Sequence, residues 1–307
     1  MAEVQPRTAR AAWPAPGVSR PLPWARRRAW RTLRRGSGLF NLAFLALVVI
    51  GAVFAPQITR YDPAASEVTQ RLQPSGWLGG ASRGHLLGTD QLGRDVFARL
   101  VYGSRISLIV GLSTVAISAV LGSGLGVLAG YYGGRVGLVL MRLADIQLAF
   151  PFLLLALAMV VVLGVGLLNV ILILGIAGWV GFGRVARGQV LSIKEREYVE
   201  AARAVGAGET AIIAQHIVPN LLTPIIVLAT ASVANNIVIE ASLTFLGLGV
   251  QPDLPSWGNM LADAREYLNV AWWMSVFPGV ALTLTVLTVN LLGDWLRDYL
   301  DPTLRNV

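Results

Sequence analysis

The 307-residue chain contains no cysteine, a single lysine and two histidines. Without cysteine, disulfides, thiolate zinc sites and cysteine nucleophiles are all excluded. His85 and His216 lie far apart, and neither stands in a ligand cluster, so no metal site is expected. Charge is scarce as well. Acidic and basic residues make up 14% of the chain, against about 25% in a soluble domain. No G-x-x-x-x-G-K-[ST] phosphate loop occurs, so this chain is not expected to hydrolyse a nucleotide itself. Internal repeats, heptads and sizeable low-complexity tracts are also missing.

What fills the chain is apolar sequence. Hydrophobic residues account for 55%, and mean hydropathy is +0.63, the balance of an integral membrane protein with little soluble mass. Six apolar runs reach bilayer-spanning length: Leu39–Ala55, Ile106–Tyr131, Gln147–Leu163, Leu167–Gly188, Leu221–Gly247 and Trp273–Gly293. The fold class is therefore all-α, with six transmembrane helices. Pro151 and Pro278 lie in or near the starts of their spans and are expected to bend them.

Arginine placement orients the spans. Nine arginines (Arg7, Arg10, Arg20, Arg26, Arg27, Arg28, Arg31, Arg34 and Arg35) precede the first span, against one acid, Glu3. Such a tail belongs on the cytoplasmic side. Six crossings then return the C-terminus to that side and leave residues 189–220 cytoplasmic too. The loops at 56–104 and 248–272 face outward. Trp24 and Trp30 among the arginines suit an anionic lipid surface, where each basic residue contributes about 1 kcal/mol. Membrane lipid is thus the expected partner of the tail, and nucleic acid is not. The tail is too long for an ordinary signal peptide, so the first span is expected to remain as an uncleaved helix. The domain reading is a basic tail (1–38), a first helix with an external loop (39–104), a five-helix core (105–295) and a C-terminal tail (296–307).

The most informative segment is Glu200-Ala-Ala-Arg-Ala-Val-Gly206, followed by His216-Ile-Val-Pro219. Small alanines let a short helix lie flush in a groove of another protein. Gly206 can take φ > 0 and end that helix. Pro219, without an N–H, suits the first turn of the next. The pattern resembles the Glu-Ala-Ala loop of ABC importer permeases, with Val218 and His216 departing from the family's usual leucine and isoleucine. His85-Leu-Leu-Gly-Thr-Asp90-Gln-Leu-Gly-Arg94-Asp95, Glu240-Ala-Ser-Leu-Thr-Phe-Leu-Gly-Leu-Gly249, Pro255-Ser-Trp257-Gly-Asn-Met260 and Asn290-Leu-Leu-Gly-Asp294 are similar to segments of the dipeptide, oligopeptide and nickel importer branch.

The resemblance implies a type I ABC importer permease in a bacterial inner membrane, translocating peptides or a similar small solute by alternating access. It implies four kinds of contact: a second permease, two ATP-binding subunits, an extracytoplasmic solute-binding protein and lipid. ATP and Mg²⁺ would sit on the ATPases, with no cofactor on this chain. Glu200, Ala201, Ala202, Gly206, His216 and Pro219 are the implied coupling residues. A self-sufficient transporter or channel would more naturally show paired repeats or a mid-membrane ion site. A membrane enzyme would need a catalytic constellation within the spans.

In the fifth span Ser232, Asn236, Glu240 and Thr244 recur every four residues and share one helical face. Measured from Asn220, Glu240 lies about 30 Å along the helix, near the outer interface. This stripe is the candidate translocation path or gate. In the second span Ser118, Gly122, Gly126 and Gly130 form a small-residue face for close helix contact, inside this subunit or with a partner.

Overall fold

Leucine, valine and isoleucine dominate every span, and in hydrocarbon a backbone without water must satisfy itself within a helix. The computed structural model describes residues 36–76 and 84–300, which are mainly helical, with turns and irregular segments that include an isolated bridge between Thr89 and Asp95. The arginine-rich tail through Arg35 and residues 301–307 lie outside the described residues.

The principal helices are α1 (Gly36–Val53), α2 (Val96–Tyr131), α3 (Gly134–Leu148), α4 (Phe152–Leu163), α5 (Leu167–Ala177), α6 (Trp179–Ile193), α7 (Glu197–Ala204), α8 (Val218–Phe245), α9 (Trp257–Ala264) and α10 (Trp273–Leu300). Among the described residues, four continuous stretches are long and apolar enough to cross a membrane: α2, α5 with α6, Glu209–Phe245, and α10. A fifth is the α3–α4 pair, bent by 92°, and Gly38–Val53 is a shorter apolar helix. Length and composition in the structure therefore support four or five crossings where the sequence predicts six.

Three boundaries differ from the sequence expectation, each for a physical reason. Helix α2 starts ten residues before Ile106, because Asp95 caps it: its Oδ1 accepts the Ala98 N–H at 2.6 Å. The third span is broken at Pro151, which cannot donate to the preceding turn and disfavours helix at Phe150. Pro278, by contrast, lies buried inside an unbroken α10. The interval before Pro219 is helical and not an open loop. Residues Ile213–Ile217 form a π-turn in which the Val218 N–H reaches the Ile213 carbonyl, one way of accommodating the missing donor at Pro219.

Helix α2 is the central post. Gly122, Gly126 and Gly130 face α6 so closely that a Cβ would stand 2.6 Å from the Phe182 Cβ, 2.7 Å from the Ala186 Cβ and 2.8 Å from the Val190 Cβ respectively. The small-residue face is thus used inside this subunit. Ser118 extends it, donating to the Gly175 carbonyl at 2.7 Å.

Contacts between helix ends define two faces of the bundle. On one lie the start of α2, the start of α10, α9 and the Gly166–Gly249 contact. On the other, the end of α2 meets the end of α6, where Lys194 Nζ donates to the Gly130 carbonyl at 3.3 Å. Helix α7 extends from this second face, anchored by a cluster containing Val127, Val190, Ile193, Val199, Ile212, Ile217 and Leu221.

Candidate coupling and gating sites

Helix α7 has the form of a docking element. Glu197 and Glu200 occupy its first turn and Arg203 its last, which complements the helix dipole. Val199 is buried and holds the helix to the bundle, while Glu200, Ala201, Arg203 and Ala204 are exposed. Ala202 is half-buried. Gly206 has φ +86°, and the two bonds of a Schellman ending are both made. The Gly206 N–H donates to the Arg203 carbonyl at 3.0 Å, and the Ala207 N–H to the Ala202 carbonyl at 3.0 Å. Val205, just before the glycine, is 84% exposed. An apolar side chain presented this fully at the tip of an ordered helix is suited to contact with another surface.

His216 belongs to the support of α7, and Pro219 to the start of α8. The His216 ring lies 5.9 Å from the Tyr198 ring, linking α7 to the lead-in of α8. Asn220 Nδ2 donates to the His216 carbonyl at 2.6 Å. Pro219 is exposed in the first turn of α8.

The polar stripe of α8 meets α2. Asn236 Nδ2 donates to Thr114 Oγ1 at 2.9 Å, and Glu240 receives Ser107 Oγ at 3.3 Å and Thr244 Oγ1 at 3.0 Å. Glu240 has no exposed surface. Thr244 in turn accepts the Val250 N–H at 3.2 Å, tying the stripe to the turn after α8. Ser232 stands apart: it is half-buried and bonds the Leu228 carbonyl of its own helix at 2.8 Å. Asn235, one position off the stripe, is exposed. Glu240 lies five residues, about 8 Å, from the end of α8. The arrangement is a buried polar joint between α2 and α8 at the first face.

A second polar assembly on that face involves residues the sequence reading did not pair. Asp90 Oδ2 receives Arg94 Nε at 2.6 Å and Arg99 at 2.5 Å, while its Oδ1 receives the backbone N–H groups of Leu92 and Arg94 at 2.8 and 3.0 Å. Both arginines also reach Asp263 of α9 at 3.0 Å. Two cations and two carboxylates are thereby balanced in a largely buried cluster. Asp95, besides capping α2, takes His85 Nδ1 at 2.7 Å, and His85 Nε2 lies 2.9 Å from Gln70 Oε1. Trp257 and Trp273 complete the seam through bonds to the Leu100 and Thr89 carbonyls. The glycine- and charge-rich motif around Asp90 therefore acts structurally, fastening the loop between α1 and α2 to α9 and α10.

Residues 122–306 match the family described as binding-protein-dependent transport system inner membrane component. The chain belongs to this family. The permease is 45% identical over 294 residues to the di/tripeptide transport system permease protein DppC of Pseudomonas aeruginosa, covering 95% of this chain and 97% of the relative. It is 41% identical over 285 residues to the dipeptide transport system permease protein DppC of Alkalihalophilus pseudofirmus, covering 92% and 91%. In three dimensions it resembles an inward-facing conformation of the MetNI methionine ABC transporter, with a TM-score of 0.56 at 19% identity over 67% of this chain and 97% of that one. At that identity the likeness concerns the fold alone. The permease is accordingly a membrane subunit of an ABC importer and not an enzyme. The family match includes α7 and all of α8, while Ser107 and Thr114, the α2 partners of the polar stripe, lie just before it.

Proposed function

We propose that this permease carries di- or tripeptides inward across a bacterial inner membrane as one half of a two-permease pore. Two ATPases power it, and an extracytoplasmic binding protein delivers the solute. The observation that carries the coupling half of this reading is α7: a short ordered helix with an exposed alanine face, ended by Gly206 and tipped by Val205. The peptide assignment rests on the identity to peptide permeases across nearly the whole chain.

In this reading the membrane is crossed six times, with α1 and the bent α3–α4 pair each counting as one crossing. The second face, with α7, is cytoplasmic, as are both termini. ATP and Mg²⁺ reside on the partner ATPases. When those subunits close on ATP, a groove on each grips an α7 helix and moves it as a rigid lever. Its buried Val199, packed with Ile212 and Ile217 of the segment that follows, transmits the displacement to α2, α6 and α8. At the opposite end, the Ser107–Glu240–Thr244 joint holds α2 and α8 together until that displacement parts them, so Glu240 belongs to the outer gate.

The test is uptake in a strain deleted for this permease. Complementation should restore ATP-dependent entry of labelled di- and tripeptides, whereas normal growth on peptides without the gene, or restored uptake of an unrelated solute class alone, would reject the assignment.

A further inference from the structure

Between α3 and α6, toward the second face, lies a cavity of about 290 Å³ whose lining includes Gly134, Leu138, Met141, Arg142, Asp145 and Arg187. Its electrostatics are unbalanced. Asp145 is engaged by Arg184 at 2.6 Å. Arg142 and Arg187 make no ion pair among the described residues. Three arginines against one aspartate leave two positive charges at the cavity. Moreover, Arg187 Nε is fully buried and donates to no acceptor among the described residues. Buried donors are rarely left so without a missing partner.

The position also matters. Arg187 is six residues, about 9 Å, from the end of α6, and Arg142 is eight residues, about 12 Å, from the start of α3. Both residues lie toward the helix ends that meet at the second face, and their long side chains can reach a headgroup there. Beside them, α3 turns an apolar surface outward: Leu138, Val139, Leu143 and Ile146 are all more than half exposed. A free anion would use the arginines alone, whereas a phospholipid would use both the arginines and this apolar surface.

We propose that the α3–α6 cavity binds the phosphate of an anionic phospholipid, with Arg142 and Arg187 as its ligands and an acyl chain along the exposed side of α3. Basic pockets between membrane helices are a known mode of headgroup recognition. Assigning the lipid to the cytoplasmic leaflet rests on the orientation given under the proposed function; the pocket itself does not.

The test uses the assembled transporter, purified into nanodiscs of mixed phosphatidylglycerol and phosphatidylcholine, which present both lipids on both faces. Failure therefore counts against the pocket and not against the orientation or the peptide assignment, which uptake by the same variants reads separately. Lipid retained through delipidation is counted by native mass spectrometry. The intact complex should retain phosphatidylglycerol over phosphatidylcholine, and Arg142→Gln with Arg187→Gln should cut that preference about tenfold, equivalent to about 1.4 kcal/mol. Arg142→Gln alone, at an exposed position, should show part of the loss, and Arg135→Gln on the same helix should show none. Equal preference in the intact and doubly substituted complexes would overturn the proposal. So would displacement of the retained lipid by inorganic phosphate, which would assign the cavity to the free ion.

Discussion

Replacing Asp90 by alanine probes the charge cluster that fastens the loop between α1 and α2. Asp90 is about 1% exposed and accepts four hydrogen bonds, two from guanidinium groups and two from backbone N–H groups. Its loss leaves Arg94 and Arg99, 7% and 2% exposed, to share Asp263 alone. One buried positive charge is then uncompensated. Removing one partner of a buried ion pair costs about 3–5 kcal/mol. Asp263, whose side chain is 31% exposed, is partly screened, and Asp263→Ala should cost nearer about 1 kcal/mol. Both variants would be solubilised in the same detergent and the folded fraction followed by fluorescence-detected gel filtration after stepwise heating. Asp90→Ala should lose its folded peak at a clearly lower temperature than Asp263→Ala. Asp90→Asn, which keeps the shape but not the charge, should resemble Asp90→Ala. If Asp90→Asn matches the unmodified protein, or if the two aspartates prove equivalent, the charge-balance reasoning is refuted.

Gly126→Val should disrupt the α2–α6 contact at a cost of about 1–3 kcal/mol by overpacking, while Gly124→Val, where a Cβ meets nothing within 4 Å, should be tolerated; the same heating assay compares them. Glu240→Gln should slow uptake of neutral and cationic peptides alike, because the carboxylate faces Ser107 and Thr244; a defect confined to cationic peptides, through loss of a charge-assisted bond of about 1.5–3 kcal/mol, would make it a ligand instead. Cysteines introduced singly at the exposed positions Ser66 and Asp253 should react with an impermeant thiol reagent in cells with a permeabilised outer barrier, and one at Ser192 should not; labelling at Ser192 would reverse the orientation.

Much of the helical architecture is legible in the sequence because hydrocarbon length fixes the length of an apolar run. Gly206 is legible too, since few residues other than glycine end a helix at φ +86°. What escapes is whatever depends on distant residues. Nothing near Arg94 or Arg99 in the sequence points to Asp263, 169 and 164 positions away. The early start of α2 escapes as well, because Val96–Arg105 is not an apolar run and takes its helix from the Asp95 cap and its packing against Trp257. The stripe Ser232–Thr244 is legible as a face, but its partner is not: only the bundle brings Ser107 and Thr114 of α2 to Glu240 and Asn236. Pro151 and Pro278 show the same limit, since one breaks its span and the other does not, although both are prolines early in apolar runs.

The central claim is that α7 is the handle by which partner ATPases move this permease, and cysteine cross-linking tests it most directly. The chain has no cysteine of its own, so a single thiol at Val205, 84% exposed at the tip of α7, reports one location. In membranes containing the assembled transporter, a short thiol-to-amine cross-linker on Val205→Cys should capture the ATPase subunit, with a yield that changes when ATP is added. The same reagent on Ser66→Cys, in the loop between α1 and α2, should capture none. A functional transporter in which Val205→Cys never reaches the ATPase, or reaches it no better than Ser66→Cys, would contradict the account.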